Sequence, residues 1–291
     1  MKSLITAFIA LLAVVSPTFC QTTSGSLKFK QGQELEVSMN LKSSIAQEAM
    51  GQSIDFNVDG VATHMYTVTN TTSDNSTLHH KMKRISYSFD GMGQKQSFDS
   101  DKQKDLDGQF GKPIKELLGK TYDMVIDPTG KVMMVVPEKL ETSNPDPRIM
   151  MIMSMLTDLV STVQPPQKNK ASFFKVLPDG EISIGGNWSE SDNTESGKFT
   201  TNYTIASIND TTIVVEFTGT SNSTTKAEMM GMETSTTMNS KTKGNIILDR
   251  GTGIIRQKTN ITDSNGSTEV MGTTLPVTSK ITTVINVKPQ N

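Results

Sequence analysis

The stretch Glu34-Leu35-Glu36-Val37-Ser38-Met39-Asn40-Leu41 alternates polar and apolar residues without a break. Successive side chains of a strand point to opposite faces. Leu35, Val37, Met39 and Leu41 therefore share one face, and Glu34, Glu36, Ser38 and Asn40 the other. The same period of two returns at Ile85, Tyr87 and Phe89, then at Phe199, Tyr203 and Ile205. It recurs at Ile213, Val215 and Phe217, and again at Ile281, Ile285 and Val287. Strands with one apolar and one polar face belong to antiparallel sheets.

Turn chemistry separates these runs. Asp127-Pro128-Thr129-Gly130 divides Tyr122–Ile126 from Val132–Val136, a hairpin signal. Asp249-Arg250-Gly251-Thr252-Gly253 divides Asn245–Leu248 from Ile254–Lys258, and Pro178-Asp179-Gly180 opens a strand at Glu181–Ile184. The pieces recur in a similar order. Gly32-Gln33-Glu34-Leu35, Tyr66-Thr67-Val68 and the Asp127 turn are matched by Gly185-Gly186-Asn187-Trp188, Tyr203-Thr204-Ile205 and the Asp249 turn. Two similar halves, about 27–137 and 175–288, are one reading; coincidence among Thr-rich strands is the other.

Between them, at about 138–174, lies a helical connection. Asp146 suits an N-cap and Pro147 a first turn. Ile149, Met153, Leu156, Leu159 or Val160, and Val163 follow helical spacing up to Pro165-Pro166. The N-terminal half, Ile149 to Met153, is apolar nearly all round, so it wants burial on more than one side. A shorter helix is expected at Pro113–Leu118.

The expected fold is all-β with minor α: ten or more strands in one large, curved antiparallel sheet or open half-barrel. A sheet of that size must curl, close or split. The Met-rich helix is the natural cover for its concave face. The expected architecture is similar to the half-barrels of periplasmic lipid and lipoprotein carriers.

The N-terminus reads as an export signal, residues 1–20, ahead of a single β-rich domain, 21–291. Lys2 precedes the twelve-residue apolar run Leu4–Val15, which is too short to span a bilayer. Thr18 and Cys20 suit a cut between Cys20 and Gln21. Phe19 argues against lipidation of Cys20. The expected location is periplasmic or secreted. Cleavage removes the only cysteine, so thiol catalysis, thiolate metal sites and disulfides are excluded from the mature chain. Lys and Arg number 28 against 30 Asp and Glu, and with no basic stripe a nucleic-acid role has no electrostatic support. No later run is apolar enough to span a membrane as a helix. Eight Asn-x-Ser/Thr sequons, at Asn70, Asn75, Asn187, Asn202, Asn209, Asn222, Asn260 and Asn265, read as a product of the Thr-rich composition.

Several elements resemble uncharacterised exported proteins of Bacteroidetes, grouped as a domain of unknown function. They are the start at Gln21, the Gly32-Gln33-x-Leu35-x-Val37 strand, Phe98-Asp99-Ser100, Gly119-Lys120-Thr121, and Gly186-Asn187-Trp188. The resemblance implies a bacterial envelope or secreted setting and brings no catalytic or binding residues. Trp188 reads as an anchor in a core poor in aromatics, with ligand stacking as the alternative.

No catalytic motif is present, and neither a cofactor nor an enzyme activity is expected. His79 and His80, adjacent on a strand, cannot both clasp one metal. An EF-type calcium loop ending at Asp105-x-Asp107-Gly108 would need an acid at Gln103 and a Glu at Ile114; both fail, and Asp99–Gly108 reads as a solvated polar loop. Methionine is abundant, at 18 residues. Met150, Met151, Met153 and Met155, with Met229, Met230, Met232 and Met238, admit a thioether Cu(I) site; packing is the plainer reading. The leading expectation is a non-enzymatic binder of an apolar ligand, a lipid or acyl chain, under the Met-rich helix. Its residues are Ile149, Met150, Met153, Leu156 and Leu159. The alternative is a structural or interaction protein of the cell envelope with no ligand.

Overall fold

The computed structural model describes residues 22–49, 52–91, 93–140, 156–229 and 232–290. The chain is 66% strand and 8% helix, so the all-β expectation with minor helix holds. Its strands are β1 (Thr22–Ser24), β2 (Glu34–Ala49), β3 (Gln52–Thr71), β4 (Ser76–Gly91), β5 (Gln94–Asp99), β6 (Thr121–Ile126), β7 (Val132–Val136), β8 (Glu181–Ser183), β9 (Asn187–Thr194), β10 (Gly197–Ile208), β11 (Thr212–Met229), β12 (Met232–Asp249), β13 (Ile255–Val270) and β14 (Thr273–Gln290). The described helices are α1 (Gln103–Leu106), α2 (Gly111–Leu118) and α3 (Thr157–Val160), the last followed by a 3-10 turn, Ser161–Val163.

Twelve strands form one antiparallel sheet in the order β7-β6-β4-β3-β2-β14-β13-β12-β11-β10-β9, with β5 beside β4. The sheet does not close, and β7 and β9 are its edges. Each half of the chain is a meander, and the two join at the centre. There β14 pairs with β2 from Gln290↔Glu34 to Val277↔Gln47. On its outward edge β4 carries two strands end to end, β6 along Ser76–Lys81 and β5 along Ser86–Gly91.

The expected alternation is seen residue by residue. Leu35, Val37, Met39 and Leu41 are at most 2% exposed, and their partners across β3 are Tyr66, His64, Ala62 and Gly60. These residues line the inner face. At one end that face is filled by two further segments. Leu27 and Phe29 come from the strap that follows β1, and Phe174 and Leu177 from the segment before β8. Phe29 meets Phe174 edge-on at 5.4 Å.

Both Asp turns sit at this end and share one construction. Asp127 Oδ1 accepts from the Thr129 N–H at 2.9 Å and the Thr129 hydroxyl at 2.8 Å. Asp249 Oδ1 accepts from the Thr252 N–H at 2.8 Å and the Thr252 hydroxyl at 2.9 Å. Gly130 and Gly253 close the turns at φ 86° and 71°, a region that disfavours side chains. The strap bonds both turns: Leu27 N–H donates to the Pro128 carbonyl at 2.6 Å, and Lys28 N–H to that of Thr252 at 2.9 Å.

Two local expectations change. Asp99–Gly108 is not a free loop but contains α1, and its acids are engaged. Asp99 and Asp101 face Arg84, each at 2.8 Å. Asp105 accepts the Asp99 N–H, and Asp107 accepts from Lys115. Among the described residues the connection is helical over Thr157–Val160, and Leu156, at φ −98° and ψ 11°, is its N-cap. Residues 141–155 lie outside the described residues. The short helix expected at Pro113–Leu118 is present as α2.

Candidate functional site

One transverse row of inner-face residues locates the site. From edge to edge it reads Trp188, Tyr203, Phe217, Gly244, Asn260, Thr283, Leu41, Gly60, Tyr87 and Phe98, each paired with the next. The two glycines make room for what lies above them. At Gly60 a Cβ would stand 2.6 Å from Leu159 Cδ1 and 3.0 Å from Leu156 Cδ2. At Gly244 it would stand 2.6 Å from the Phe217 ring. Leu156 and Leu159 are thus seated flat on the sheet, both 0% exposed.

Polar side chains of the sheet fasten this seat. The Leu159 carbonyl can only accept, so His64 Nε2, 2.9 Å away, carries the proton. His64 Nδ1 then accepts from His80 Nε2 at 3.1 Å. That assignment leaves His80 Nδ1 as a bare acceptor, buried and without a partner. In parallel, the Tyr122 hydroxyl donates to the Thr162 carbonyl at 3.1 Å. Carbonyls at the end of a helix lack intrahelical donors, and the sheet supplies them. On the other side of α3, Thr283 donates to Asp158 at 3.1 Å.

Burial dominates the titration of this cluster, because a charge there would lose its water. It pushes His64 down to about 4, against the bond to Leu159. His80 falls to about 3, with the charges of His64 and His79 adding to burial. Burial pushes Tyr122 up to about 12 and Tyr66 well above its ordinary value.

At the β9 end of the row the inner face carries an aromatic stack. Trp188 lies on Tyr203 at 5.1 Å and 10°, and Tyr203 leans on Phe217 at 5.9 Å. Lys258 Nζ sits 5.5 Å over the Phe217 ring. Burial lowers the Lys258 pKa, opposed by the charges of Asp158 and Glu190. Glu190 accepts from the Tyr203 hydroxyl at 3.2 Å. The Trp188 indole N–H is buried and has no acceptor among the described residues.

Past this row, away from the Asp turns, the inner face divides. Over β14, β2, β3 and β4 it is mostly apolar, with Ile281, Val58, Phe89, Ile45, Phe56 and Ile54 beside the polar Ser43, Gln47 and Ser279. All the apolar ones but Val58 are half-buried, and the Phe56 and Phe89 rings are 6.0 Å apart. Over β10–β13 it is lined by hydroxyls, with Thr242 bonded to Thr262 at 2.9 Å and Ser240 to Ser264 at 2.8 Å. The opposite face of the same region holds a polar trough of about 1120 Å³. Asn222, Asn239, Asn265, Lys241, Asp263 and Lys280 line it.

Of the sequence-predicted site residues, Leu156 and Leu159 come together on Gly60, whereas Ile149, Met150 and Met153 lie outside the described residues. So do Met151, Met155 and Met230 of the methionine sets. Met229 pairs with Met232 at the β11–β12 turn. Met238 lies six residues further along β12, roughly 20 Å away along the strand. His79 and His80 point apart: His79 bonds Asp123 at 2.8 Å, while His80 is in the core. Among the described residues no three His, Asp or Glu side chains are placed to hold one metal ion. Nor is any helix among them long and apolar enough to cross a membrane. The His64–His80 pair and the meeting of Lys258 with the Trp188 row escaped sequence reading. They depend on strand register, and only the inward phase of Tyr203 and Phe217 pointed toward them.

A family model described as "Family of unknown function (DUF6263)" matches residues 73–255. The chain belongs to this family. A search of curated proteins found no match. Among solved structures, lipovitellin, determined in a study of lipid–protein interactions, is 11% identical with a TM-score of 0.49, over 90% of this chain. The chain spans only 26% of the lipovitellin chain. An outer membrane channel from Pseudomonas putida F1 is 7% identical with a TM-score of 0.29, covering 90% of this chain and 98% of that one. OccK7 (OpdD) of Pseudomonas aeruginosa is 8% identical with a TM-score of 0.25, over 90% and 100% of the two chains.

Proposed function

We propose that this family member is an exported, non-enzymatic binding protein that carries or senses a lipid or acyl chain on its inner face. The observation that carries the reading is the apolar strip beyond the Gly60 row, with the half-buried pair Phe56 and Phe89. Apolar ligand sites are concave and mostly apolar, with few polar groups. A fully packed core would instead bury that strip as deeply as Leu35 or Met39. Leu156 and Leu159 serve as the fixed end of the cover. Ile149, Met150 and Met153, apolar residues that precede them in the sequence, are proposed as its other contacts, the two methionines being adaptable fillers. Export rests on the Leu4–Val15 run with cleavage after Cys20, and a bacterial envelope or secreted setting on the motifs shared with exported Bacteroidetes proteins.

Native mass spectrometry of protein purified without detergent is expected to show a lipid adduct. Phe56→Asp and Phe89→Asp should lose it while circular dichroism stays unchanged. A clean apo mass for the wild type overturns the reading. An alternative, an interaction protein of the envelope, draws on the edge strand β7, where Met133, Met134 and Val136 are 47%, 52% and 55% exposed. Pull-down from envelope extracts separates the two.

A further inference from the structure

Trp188 donates to nothing among the described residues, although its Nε1 is shielded from water. A buried donor left unsatisfied is destabilising, so each one asks for an acceptor. Its surroundings say what kind. The indole is stacked on Tyr203, which leans on Phe217, so flat apolar surface flanks it. The charged groups that face this corner are Lys258, Asp158 and Glu190. Lys258 is already set over the Phe217 ring and feels the negative charges of both carboxylates. With one ammonium against two acids, a further anion would meet net repulsion. The remaining wall toward β13 carries Asn260, Phe199 and Ser and Thr hydroxyls, among them the pairs Thr242–Thr262 and Ser240–Ser264. An uncharged acceptor fits this corner better than a carboxylate does.

The apolar strip lies on the same inner face, across β14 from the hydroxyl strip. One side of the face thus suits a chain and the other a polar, neutral head. We infer that the Trp188 corner receives the head of a neutral acyl ester, with the indole N–H donating to the ester carbonyl. This rests on the proposed lipid-binding function and names the head group for it. Trp188 is then a specificity-determining residue.

Trp188 is the only tryptophan in the sequence, so its indole gives a single cross-peak in a proton–nitrogen spectrum. Delipidated protein is titrated with monoolein and, separately, with oleate. Monoolein is expected to move the indole proton downfield and to bind about tenfold more tightly than oleate. Trp188→Phe keeps an aromatic ring for the stack and should weaken monoolein about fivefold to tenfold, the size of one hydrogen bond, leaving oleate affinity unchanged. An indole resonance that neither lipid moves overturns the assignment, because water then satisfies the donor. Oleate binding as tightly as monoolein also overturns it. If native mass spectrometry shows bound lipid while the indole stays silent, only the head site falls. If neither lipid binds, the carrier reading falls with it. The indole measurement needs no variant and stands even if Trp188→Phe folds poorly.

Discussion

His64 and His80 are neutral because the core denies them water, and this governs how the protein answers acid. An unfolded histidine takes a proton near pH 6.5, whereas His64 resists until about 4 and His80 until about 3. Below pH 6.5 the unfolded state therefore binds more protons, and stability falls as pH falls. Between pH 6.5 and 4 each histidine removes up to about 1.4 kcal/mol per pH unit. Asp127 and Asp249 add a second loss at lower pH. Burial opposes their ionisation, but bonds from Thr129 and Lys131, and from Arg256 and Thr252, outweigh it and hold both below the usual carboxylate range. Urea midpoints measured at pH 7, 5.5 and 4 should drop steeply; a midpoint flat over that range would contradict the neutral-pair assignment. Tyr122→Phe tests the parallel bond. It removes the donor to the Thr162 carbonyl and should cost about 1–3 kcal/mol. A loss under about 0.5 kcal/mol, read from the same urea curves, would mean that water replaces the bond.

At the scale of elements, the strap of residues 25–31 fastens structure that is distant in sequence. It bonds one turn from each half of the chain and packs Phe29 on Phe174. Phe29→Ala should cost about 3–5 kcal/mol, the usual range for a buried Phe. Both Asp turns should then lose amide protection together in hydrogen exchange; protection lost at only one turn would show that the strap does not couple them. The turns and strands themselves were legible beforehand, because period two and Asp-Thr-Gly chemistry are local signals. Leu35, Val37, Met39 and Leu41 announced their face before any partner was known. The partner was not legible: nothing near Glu34 says that Gln290 lies beside it. The split of the β4 edge between β5 and β6 is equally non-local. Of the helical spacing from Ile149 to Val163, the described residues show Thr157–Val160 as helix with Leu156 as its N-cap. Two of the five expected site residues could be placed, and their role there is anchoring. The aromatic stack and Lys258 assemble from β9, β10, β11 and β13, a grouping that no local pattern encodes.

For the whole molecule, the central β2–β14 pairing decides whether the halves are independent. Each half is a meander of strands that follow one another in sequence, which alone would favour separate folding. Yet one apolar cluster runs through both, from Leu35 and Ile85 to Val215 and Ile246, and the strap and α3 touch both sides. Without β14, strand β2 would present a long unpaired edge and lose the cover of Ile285 and Val287 on the inner face. Such an edge is an aggregation hazard rather than a stable boundary. The joined chain should therefore unfold as one unit, with a single calorimetric transition whose calorimetric and van't Hoff enthalpies agree. Truncation after Gly272, which removes β14, should abolish the cooperative transition instead of halving it. Two resolved transitions in the intact protein, or a truncated chain that keeps the near-ultraviolet signature of Tyr66 and Tyr122, would show that the halves are separate domains meeting at a seam. In that case the inner face would be an interface between domains, and a ligand could enter by parting them. With one cooperative unit, entry must come through the open side of the sheet.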